Sequence, residues 1–472
     1  MNGARKGWNN MKRVMIVGTG LEARRVAERL TYMAQMQLVA WMVPGTATVQ
    51  MDDVVILNNW QDIPCCLKKL QIHIVCFVSS NGDMKQKQQL MAWCKESGCE
   101  FRQEPSNYKI EGKTAEILHM AQEHMEELLG RPAAQFPVEQ MKKIEGKTVL
   151  VTGAGGTIGS EICRVIAQWN PRKLILLDIS ENDSIRTMCE VELAGPKAVM
   201  IIGSVANKRL IDSLFMQYHP QIVFHAAAHK HVPIMENNVS ECMENNVFGT
   251  YYCAMAARKY GTETFVLIST DKAAQPVSAM GKAKRIGEML MQELQPISDT
   301  DFLAVRFGNV IGSSGSVLPI FARQIAYGGP LTLTDRGMSR FFMTVQEAAN
   351  LVISAAFLVK KAHIYMLDMG KPVQITELAK RLLKVVNQTD IPIVYMGKRD
   401  GEKLTETLCA PGERLCSSEQ PHIFALEDQR KVRGKPWFED LVQLQQSLFQ
   451  EEEKVNHLIE CLLQEREPIN FY

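Results

Sequence analysis

The residues with the clearest capacity for chemistry lie between Ser269 and Lys284. A hydroxyl, a carboxylate and an amine are adjacent at Thr270, Asp271 and Lys272, and a second amine follows at Lys284. They come directly after the apolar run FVLI, which predicts a buried strand. Open α/β sheets place their sites at the carboxyl ends of parallel strands. The segment is therefore predicted to supply an acid and a base for proton transfer.

A glycine turn earlier in the chain indicates where a dinucleotide would bind. The segment GAGGTIG follows the strand-like run VLVT and places Gly153, Gly156 and Gly159 at the start of a helical pattern. Glycine lets the backbone approach a pyrophosphate, and the helix start supplies N–H donors and a positive dipole. Asp178 ends the next strand about 20 residues on, where its carboxylate can bind both ribose hydroxyls and repel the extra phosphate of NADP. The pattern therefore predicts NAD binding.

Met280 and Lys284 lie at the i, i+4 interval, which puts both side chains on one helix face. Many nicotinamide-dependent enzymes have tyrosine and lysine at this interval, with the tyrosine as catalytic acid and base. A lysine here can reach the nicotinamide ribose, and its amine loses proton affinity beside the cationic ring. Because methionine cannot transfer a proton, the first deprotonation is left to Thr270, Lys284 or a water molecule.

The elements that must position these residues alternate between strands and helices. Residues 13–30 and 147–169 each read as a β-branched strand, a glycine turn and a helix, and further strand-like runs follow both. This alternation predicts an α/β protein with two Rossmann-like, doubly wound parallel-sheet domains in tandem, the second with a small α/β substrate-binding lobe. The strand after the first glycine turn, GTGLEA, ends without an acidic residue. We therefore expect a structural or regulatory role for the first domain.

Changes in this pattern give the predicted domain boundaries. Residues 1–140 form the N-terminal domain, 141–430 the NAD-binding catalytic domain with its lobe mainly from 312 onward, and 431–472 a helical C-terminal tail. Helices are predicted at 345–360, 375–387 and 437–466. The last of these is rich in Gln and Glu, and we expect a solvated helix rather than an oligomer contact.

Bulk composition excludes several classes of protein. The 472 residues are 46% apolar with a formal net charge of +1, which is typical of a soluble globular protein and gives no reason to expect nucleic acid or an anionic membrane as partner. The 12 cysteines include no CxxC pair, which fits a reduced cytoplasmic compartment. No apolar run approaches the length of about 20 residues that a membrane span requires.

Four longer blocks of the sequence resemble one enzyme family. They read HAAAHKHVPIMENNVSECMENNVFGT, FVLISTDKAAQPVSAMGKAKRIGEML, VRFGNVIGSSGSVLPIFARQIAYGGPLTLTDRGMSRFFMT and DGEKLTETL. Over residues 145–415 the chain resembles the nucleotide-sugar 4,6-dehydratases of bacterial polysaccharide biosynthesis, in the extended short-chain dehydrogenase/reductase superfamily. The large members begin with membrane helices, and this chain resembles a soluble version of them.

The resemblance implies a role for each residue of the segment after the strand. Asp271 would protonate the departing 6-hydroxyl of a UDP-linked N-acetylglucosamine, and Lys272 would be the base at C5. Thr270 and Lys284 would serve the C4 hydroxyl, with Met280 lining the site. NAD would take a hydride from C4 and return it to C6, giving a 4-keto-6-deoxy sugar. The large members of the family share the methionine.

The glycine turn and the resemblance together give the expected ligand contacts. The predicted cofactor contacts are Gly153, Gly156, Thr157, Ile158, Gly159, Asp178, Ser204, Val205, Ala226, Ala227, Asn246 and Lys284. The predicted substrate contacts are Lys230, Asn309, Arg340 and Lys403. Ser204 and Lys282 depart from the family pattern, which commonly has an acidic and a small residue there. We expect no metal at His225, His229 and His231, because the reaction needs none.

Two other functions remain open. A nucleotide-sugar 4-epimerase on the same fold needs the oxidation at C4 but no adjacent acid and base, so Asp271 and Lys272 favour dehydration. A non-catalytic NAD-binding scaffold or sensor would account for the missing tyrosine and the missing membrane helices. Extended relatives commonly associate through helices of the cofactor domain. We therefore expect a cytoplasmic homo-oligomer with a UDP-sugar as its partner.

Overall fold

The structure, a computed structural model, comprises two compact units. The first takes in described residues within 1–124, 317–336 and 379–397, and the second those within 125–316, 337–378 and 398–472. The described residues are 11–18, 20–31, 36–43, 51, 53–78, 84–103, 107–134, 138–193, 195, 198–313, 315–358, 364–397, 402–428, 432–450 and 452–464.

The first unit is built on a five-stranded parallel sheet within its described residues. The strands are β1 (Lys12–Val17), β2 (Met36–Met42), β3 (Val55–Leu57), β4 (Ile74–Phe77) and β5 (Glu100–Gln103), in the order β3-β2-β1-β4-β5. The helices are Gly20–Thr31, Ile63–Lys69, Met84–Ser97, Asn107–Glu123 and Val317–Ala326. Val14 and Ile16 pack in one apolar cluster and Met15 and Val17 in another, so both faces of the sheet are covered.

The second unit contains a nine-stranded sheet among its described residues. Its first strands are β6 (Thr148–Thr152), β7 (Lys173–Asp178), β8 (Ala198–Ile202), β9 (Ile222–His225), β10 (Thr264–Ile268) and β11 (Asp301–Arg306). The sheet order is Glu413–Ser417, Ile423–Asp428, Ile364–Leu367, β11, β10, β9, β6, β7, β8. Ile423–Asp428 pairs antiparallel with both of its neighbours, and the other pairs are parallel. The strand order reverses between β6 and β9, which is where such sheets bind ligands.

Helices surround this second sheet. They are Met125–Leu129, Val138–Met141, Thr157–Ala167, Glu181–Leu193, Lys208–Tyr218, Val232–Glu236, Val239–Met243, Gly249–Lys259, Ala279–Leu294, Val345–Ala355, Lys435–Ser447 and Glu452–Leu463, with a π-helical turn at Glu244–Phe248. The helix Ile375–Val385 has residues 375–378 in the second unit and 379–385 in the first. Short strand pairs join Asn309–Val310 to Phe342–Met343 and Ser339–Arg340 to Val373–Gln374. The predicted α/β class with parallel sheets is confirmed. None of the described helices is long and apolar enough to cross a membrane.

Two segments group differently from the single lobe that the sequence predicts from residue 312 onward. Residues 317–336 and 379–397 belong to the first unit. There the helix Val317–Ala326 packs on Asn107–Glu123, and Leu331–Leu333 pairs with Ile393–Tyr395. These contacts join residues far apart in the sequence, so no local pattern indicates them. The boundaries at 140 and 430 stay predictions.

The C-terminal tail is not the solvated helix that we expected. Its helices Lys435–Ser447 and Glu452–Leu463 contribute a buried apolar stripe to the core of the second unit, beginning with Trp437, Leu441 and Leu444. The intervals of four and three residues place these side chains on one helix face. The tail also pairs with Lys282, whose Nζ lies 2.6 Å from a carboxylate oxygen of Glu460. Residue 466, in the predicted helix, lies outside the described residues.

Candidate active site

Strand pairing fixes the segment after β10 at the carboxyl end of the sheet. β10 lies between β9 and β11, and all of its residues are buried. Beyond the strand, the main-chain N–H groups of Ser269 and Asp271 donate to carbonyls of the β11 side at 2.8 and 3.0 Å. Thr270 then caps a 3-10 turn, and Ser278 caps the helix Ala279–Leu294 through the N–H of Gly281 at 3.1 Å. The reactive side chains therefore lie between a buried strand and a capped helix.

Thr270, Asp271 and Lys272 form one hydrogen-bonded group. The Thr270 hydroxyl donates to Asp271 Oδ1 at 2.9 Å, and Lys272 Nζ donates to the same oxygen at 3.0 Å. The Asp271 side chain is fully buried, whereas that of Lys272 is 22% exposed. Within the described residues, Asp271 Oδ2 is buried and has no hydrogen-bond partner. A buried carboxylate oxygen without a donor is costly.

Lys272 borders a cavity of about 170 Å³. Asn309, Arg340, Lys403 and Glu406 also line it. Lys272 Nζ donates to Asn309 Oδ1 at 3.2 Å and lies 3.8 Å from Glu406 Oε1. The predicted base and three of the predicted substrate contacts therefore border one cleft in the second unit. Asp271 itself lies beneath Lys272 and is not among the residues that line the cavity.

The predicted phosphate-binding cations donate hydrogen bonds to main-chain carbonyls at this cleft. Arg340 is buried, and its guanidinium donates to the carbonyls of Ser339, Lys403 and Leu404 at 2.8, 2.8 and 3.0 Å. Lys403 Nζ donates to the Gln275 carbonyl. Both cations thus hold the 403–404 segment against the cleft. The fourth predicted contact, Lys230, is exposed in the loop after β9.

Lys284 is buried beneath the end of β10. Its Nζ donates to the Ile268 carbonyl at 2.8 Å. Burial lowers the pKa of Lys284 to about 8, and the nearby Cys242 and Glu288 oppose that shift. An amine with a pKa near neutrality can exchange a proton at physiological pH. Met280 is 4% exposed and packs in the apolar core, where it contributes no polar group.

A second cavity, of about 210 Å³, opens at the carboxyl ends of β6 to β9. The predicted cofactor contacts that line it are Gly153, Gly156, Asp178, Ser204, Val205, Ala226 and Ala227. Gly153 has a φ of +67°, and a Cβ there would lie 2.6 Å from the Ala227 nitrogen. The close approach of these two loops therefore requires glycine at this position.

Asp178 shapes the glycine turn from the end of β7. Its carboxylate accepts from the N–H groups of Gly155 and Ser180, each at 2.8 Å. Each carboxylate oxygen keeps acceptor capacity beyond one such bond. Eight further lining residues were not among the predicted cofactor contacts, including Gly155, Asp183, His229 and Asn245.

The other five predicted cofactor contacts are not among the residues that line this cavity. Thr157, Ile158 and Gly159 form the first turn of the helix Thr157–Ala167. Asn246 is buried and brackets the loop after β9, because its side chain accepts from the His229 N–H at 2.8 Å and donates to the His229 carbonyl at 2.9 Å. Lys284, the fifth of them, lies beneath the end of β10.

Similarity to known proteins identifies the family of this chain. Residues 149–428 match the family described as "Polysaccharide biosynthesis protein". The chain belongs to this family. The probable polysaccharide biosynthesis protein EpsC of Bacillus subtilis is 42% identical over 364 residues, which are 76% of this chain and 61% of that protein. The chain thus spans about three-fifths of the length of this relative.

Other proteins that are similar in sequence carry the names of specific enzymes. A UDP-glucose 4-epimerase of Rickettsia canadensis is 32% identical, covering 56% of this chain and 77% of that protein. A UDP-N-acetylglucosamine 4,6-dehydratase (inverting) of Campylobacter jejuni is 29% identical, covering 61% and 84%. The relatives therefore include both reaction types that the sequence left open.

Solved structures agree in fold with part of this chain. The X-ray structure of Pen from Bacillus thuringiensis matches with a TM-score of 0.55 and 30% identity, covering 62% of this chain and 90% of that one. The dTDP-glucose 4,6-dehydratase DesIV of Streptomyces venezuelae, solved with NAD and TYD bound, matches with a TM-score of 0.50 and 21% identity, covering 56% and 88%. The second likeness is one of fold alone.

The three histidines in HAAAHKH have separate environments. His225 is fully buried between two hydroxyls, with Nδ1 2.8 Å from Thr152 Oγ1 and Nε2 3.0 Å from Thr250 Oγ1. His229 Nε2 lies 3.2 Å from a carboxylate oxygen of Glu241. The ring of His231 packs against Gly315. Across the described residues, no group of three or more His, Cys, Asp or Glu side chains is arranged to hold a metal ion.

A hydrogen-bonded chain fixes the tautomer of His225. Thr250 donates to the Asn246 carbonyl at 2.7 Å and therefore accepts from Nε2, so Nδ1 must accept from Thr152. Ala227, in the wall of the second cavity, donates its N–H to Thr152 Oγ1 at 3.3 Å. Burial lowers the pKa of His225 to about 3, with the charge of Lys284 acting in the same direction.

Acid should destabilise the second unit through His225. Between pH 6.5, the ordinary pKa of histidine, and about 3, the unfolded chain binds a proton that the folded chain excludes, so stability falls as the pH falls. A His225→Gln variant can keep both hydroxyl contacts but cannot be protonated. We expect its Tm to fall less than that of the parent over this pH range, measured by circular dichroism. Parallel Tm curves for the two proteins would contradict this role.

A substitution at Gly159 tests how closely the glycine turn is packed. A Cβ at this position would lie 2.0 Å from the Gly153 carbonyl oxygen, so Gly159→Ala should cost about 1–3 kcal/mol through overpacking. Gly112→Ala is the control, because a Cβ there meets no atom within 4 Å and alanine favours its helix. Thermal unfolding should show a lower Tm for Gly159→Ala and an unchanged or higher Tm for Gly112→Ala. Equal Tm values would contradict the close approach.

Proposed function

We propose that this chain is a nucleotide-sugar 4,6-dehydratase that converts UDP-N-acetylglucosamine into a UDP-linked 4-keto-6-deoxy sugar with resident NAD. The observation that carries the proposal is the contact between Asp271 and Lys272, whose carboxylate oxygen and amine are 3.0 Å apart at the carboxyl end of β10. An elimination across two adjacent carbons needs an acid and a base side by side. The name of the Campylobacter relative supports the same reaction and sugar.

The residues of the second cavity fit NAD. Gly153 and Gly156 bring the backbone to the start of the helix Thr157–Ala167, where N–H groups and the helix dipole favour a pyrophosphate. The Asp178 carboxylate lies in the same cavity and suits ribose hydroxyls. DesIV was solved with NAD bound. When bound, NAD would supply a hydride acceptor and donor, and the residues of this chain would handle the protons.

The proton transfers can be assigned to the group after β10. Removal of the C4 hydroxyl proton falls to Thr270, to Lys284 or to a water molecule. Ketone formation at C4 acidifies the C5 hydrogen, which the Lys272 amine would take. Asp271 would protonate O6 as the C6–O bond breaks, so that one water leaves. Lys272 would end protonated and Asp271 ionised, and their polar atoms lie 3.0 Å apart.

A 4-epimerase is the second candidate, supported by the UDP-glucose 4-epimerase among the relatives. Such an enzyme would need the C4 groups but would have no use for a buried acid beside an amine. A non-catalytic NAD-binding scaffold is the third candidate. The adjacent pair of Asp271 and Lys272 favours dehydration over both. Association into a homo-oligomer stays a prediction.

Product mass separates the three candidates. The full chain is incubated with NAD and UDP-N-acetylglucosamine, and the sugar nucleotide is analysed by mass spectrometry and NMR. We expect a product lighter by one water. An unchanged mass with inverted C4 stereochemistry would instead establish epimerisation, and an unchanged sugar would favour the scaffold.

A further inference from the structure

We propose that Glu406 is a positioning residue for the elimination: its carboxylate is the counter-charge that holds the Lys272 amine in the cleft. Local sequence patterns indicated no role for Glu406, and the inference rests on the proposed dehydratase function. Lys272 would be the residue that contacts the substrate, and Glu406 would act through it.

Burial and distance single out Glu406. Its side chain is 5% exposed, and Oε1 lies 3.8 Å from Lys272 Nζ. Glu406 also lines the 170 Å³ cavity that Lys272 borders. Carboxylates are seldom this buried unless they are paired. The position of Glu406 is therefore explained by the amine that it faces.

Three other charged residues also border this cavity. Arg340 binds main-chain carbonyls, Lys403 binds the Gln275 carbonyl, and Glu402 lines the wall. Lys284 donates to the Ile268 carbonyl beneath β10. The carboxylates within 4 Å of Lys272 Nζ in the described residues are those of Asp271 and Glu406.

The reaction itself shows why one carboxylate is insufficient. Asp271 must be protonated before the elimination, and a protonated Asp271 no longer offers a negative charge to Lys272. As the C5–H bond breaks, its electrons form the C5–C6 double bond, the Lys272 amine takes the proton, and O6 leaves with the proton of Asp271. Glu406 offers Lys272 a second carboxylate, with Oε1 3.8 Å from Nζ, which remains when Asp271 carries its proton.

The same groups can be reset within one turnover. After the elimination, Lys272 would be an ammonium and Asp271 a carboxylate, with their polar atoms 3.0 Å apart. When the hydride returns to C6, the Lys272 ammonium gives its proton back to C5 and becomes an amine again. Asp271 regains the proton that the C4 hydroxyl released in the first step, by way of water or of Thr270, whose hydroxyl donates to Asp271. Glu406 does not gain or lose a proton in either step, so its role is electrostatic.

The test compares Glu406→Gln and Glu406→Asp in the full chain, supplied with NAD and UDP-N-acetylglucosamine. We expect Glu406→Gln to lower kcat for dehydration by about 10–100-fold, as loss of a nearby opposite charge predicts, with a smaller change in KM. Its kcat should also depend on pH differently from that of the parent. Glu406→Asp, which keeps the charge, should recover part of the loss. Glu263→Gln, which removes a surface carboxylate 2.7 Å from Lys147 Nζ, is the control and should match the parent.

A second measurement is independent of turnover. Lys272 is labelled with acetic anhydride at fixed pH without substrate, and the modified peptide is quantified by mass spectrometry. We expect faster labelling in Glu406→Gln, because the Lys272 amine is then no longer held against the Glu406 carboxylate. Wild-type labelling, kcat and pH profile in Glu406→Gln would overturn the proposal. If that variant does not fold, wild-type pH dependence and labelling in a folded Glu406→Asp would overturn it.

The outcomes separate this inference from the function on which it rests. A parent protein that forms no dehydrated sugar refutes the proposed function, whatever the Glu406 variants do. A parent that dehydrates its substrate, with Glu406→Gln equal to it in every measurement, refutes the role of Glu406 alone.

Discussion

Replacement of Asp271 by asparagine is expected to lower dehydration by about 10²–10⁴-fold, the range for loss of a general acid or base. Asparagine has nearly the same shape and can still accept from Thr270 and Lys272, but it has no acidic proton for O6. The C5 hydrogen should still be removed by Lys272. In D₂O, the variant should therefore place deuterium at C5 of the sugar without losing water.

Lys272→Ala is expected to give the complementary result. Without the amine, neither deuterium incorporation at C5 nor loss of water should occur at an appreciable rate. The matched controls are Asp212→Asn and Lys259→Ala, which break an exposed ion pair of 2.8 Å. They should leave both rates unchanged. Full turnover in Asp271→Asn and Lys272→Ala would refute the assigned acid and base, and C5 exchange in Lys272→Ala would move the base elsewhere.

Arg306→Met is expected to destabilise the second unit strongly. Arg306 is fully buried and binds two buried carboxylates, those of Glu288 at 2.7–2.9 Å and Glu413 at 2.7–3.0 Å. Removal of the guanidinium leaves two buried carboxylates with fewer donors and less positive charge, at a cost of about 3–5 kcal/mol. Arg285 also contacts both carboxylates but cannot replace the lost donors.

Thermal unfolding of the full chain measures this effect. Arg306→Met should unfold at a clearly lower temperature, whereas Lys147→Met, which breaks a partly exposed pair, should change Tm little. Glu288 also accepts from the Ser269 hydroxyl at 2.7 Å, so the cluster anchors the start of the catalytic segment. Equal Tm values for Arg306→Met and the parent would show that the cluster contributes no net stability.

Acid should weaken the same cluster. The charges of Arg306 and Arg285, together with hydrogen bonds, lower the pKa of Glu288 to about 2 despite burial, which acts in the opposite direction. The stabilisation is therefore complete above the ordinary glutamate pKa of 4.5 and is lost as the pH falls toward 2. Thr270, Asp271 and Lys272 should lose their anchorage in that same range.

Local sequence patterns located much of the candidate site. The glycine turn, Asp178 and the residues after β10 lie at the carboxyl ends of strands, as the alternation of strands and helices predicted. A strand and the turn that follows it are adjacent in the sequence, so composition over a few residues suffices to place them. Glu406 was not identified in this way, because it meets Lys272 across a long separation in sequence. The sequence indicated it in one way only: Glu406 lies in DGEKLTETL, one of the four blocks that resemble the enzyme family.

Local sequence patterns also did not predict where the C-terminal tail and the segments 317–336 and 379–397 pack. The stripe of Trp437, Leu441 and Leu444 indicated an amphipathic helix but not the surface that covers it. An apolar face can be buried by any complementary surface, and only the complete chain shows which one is available.

Residue identities and intervals of a few residues were enough to establish the fold class, the succession of strands along the chain and the adjacency of the acid to the amine. Other features required the folded chain: Asp271 lies buried beneath Lys272, Glu406 faces the same amine, and Arg306 joins two carboxylates under the site. Those contacts depend on which distant segments the sheet brings together, and that is a property of the packed chain as a whole.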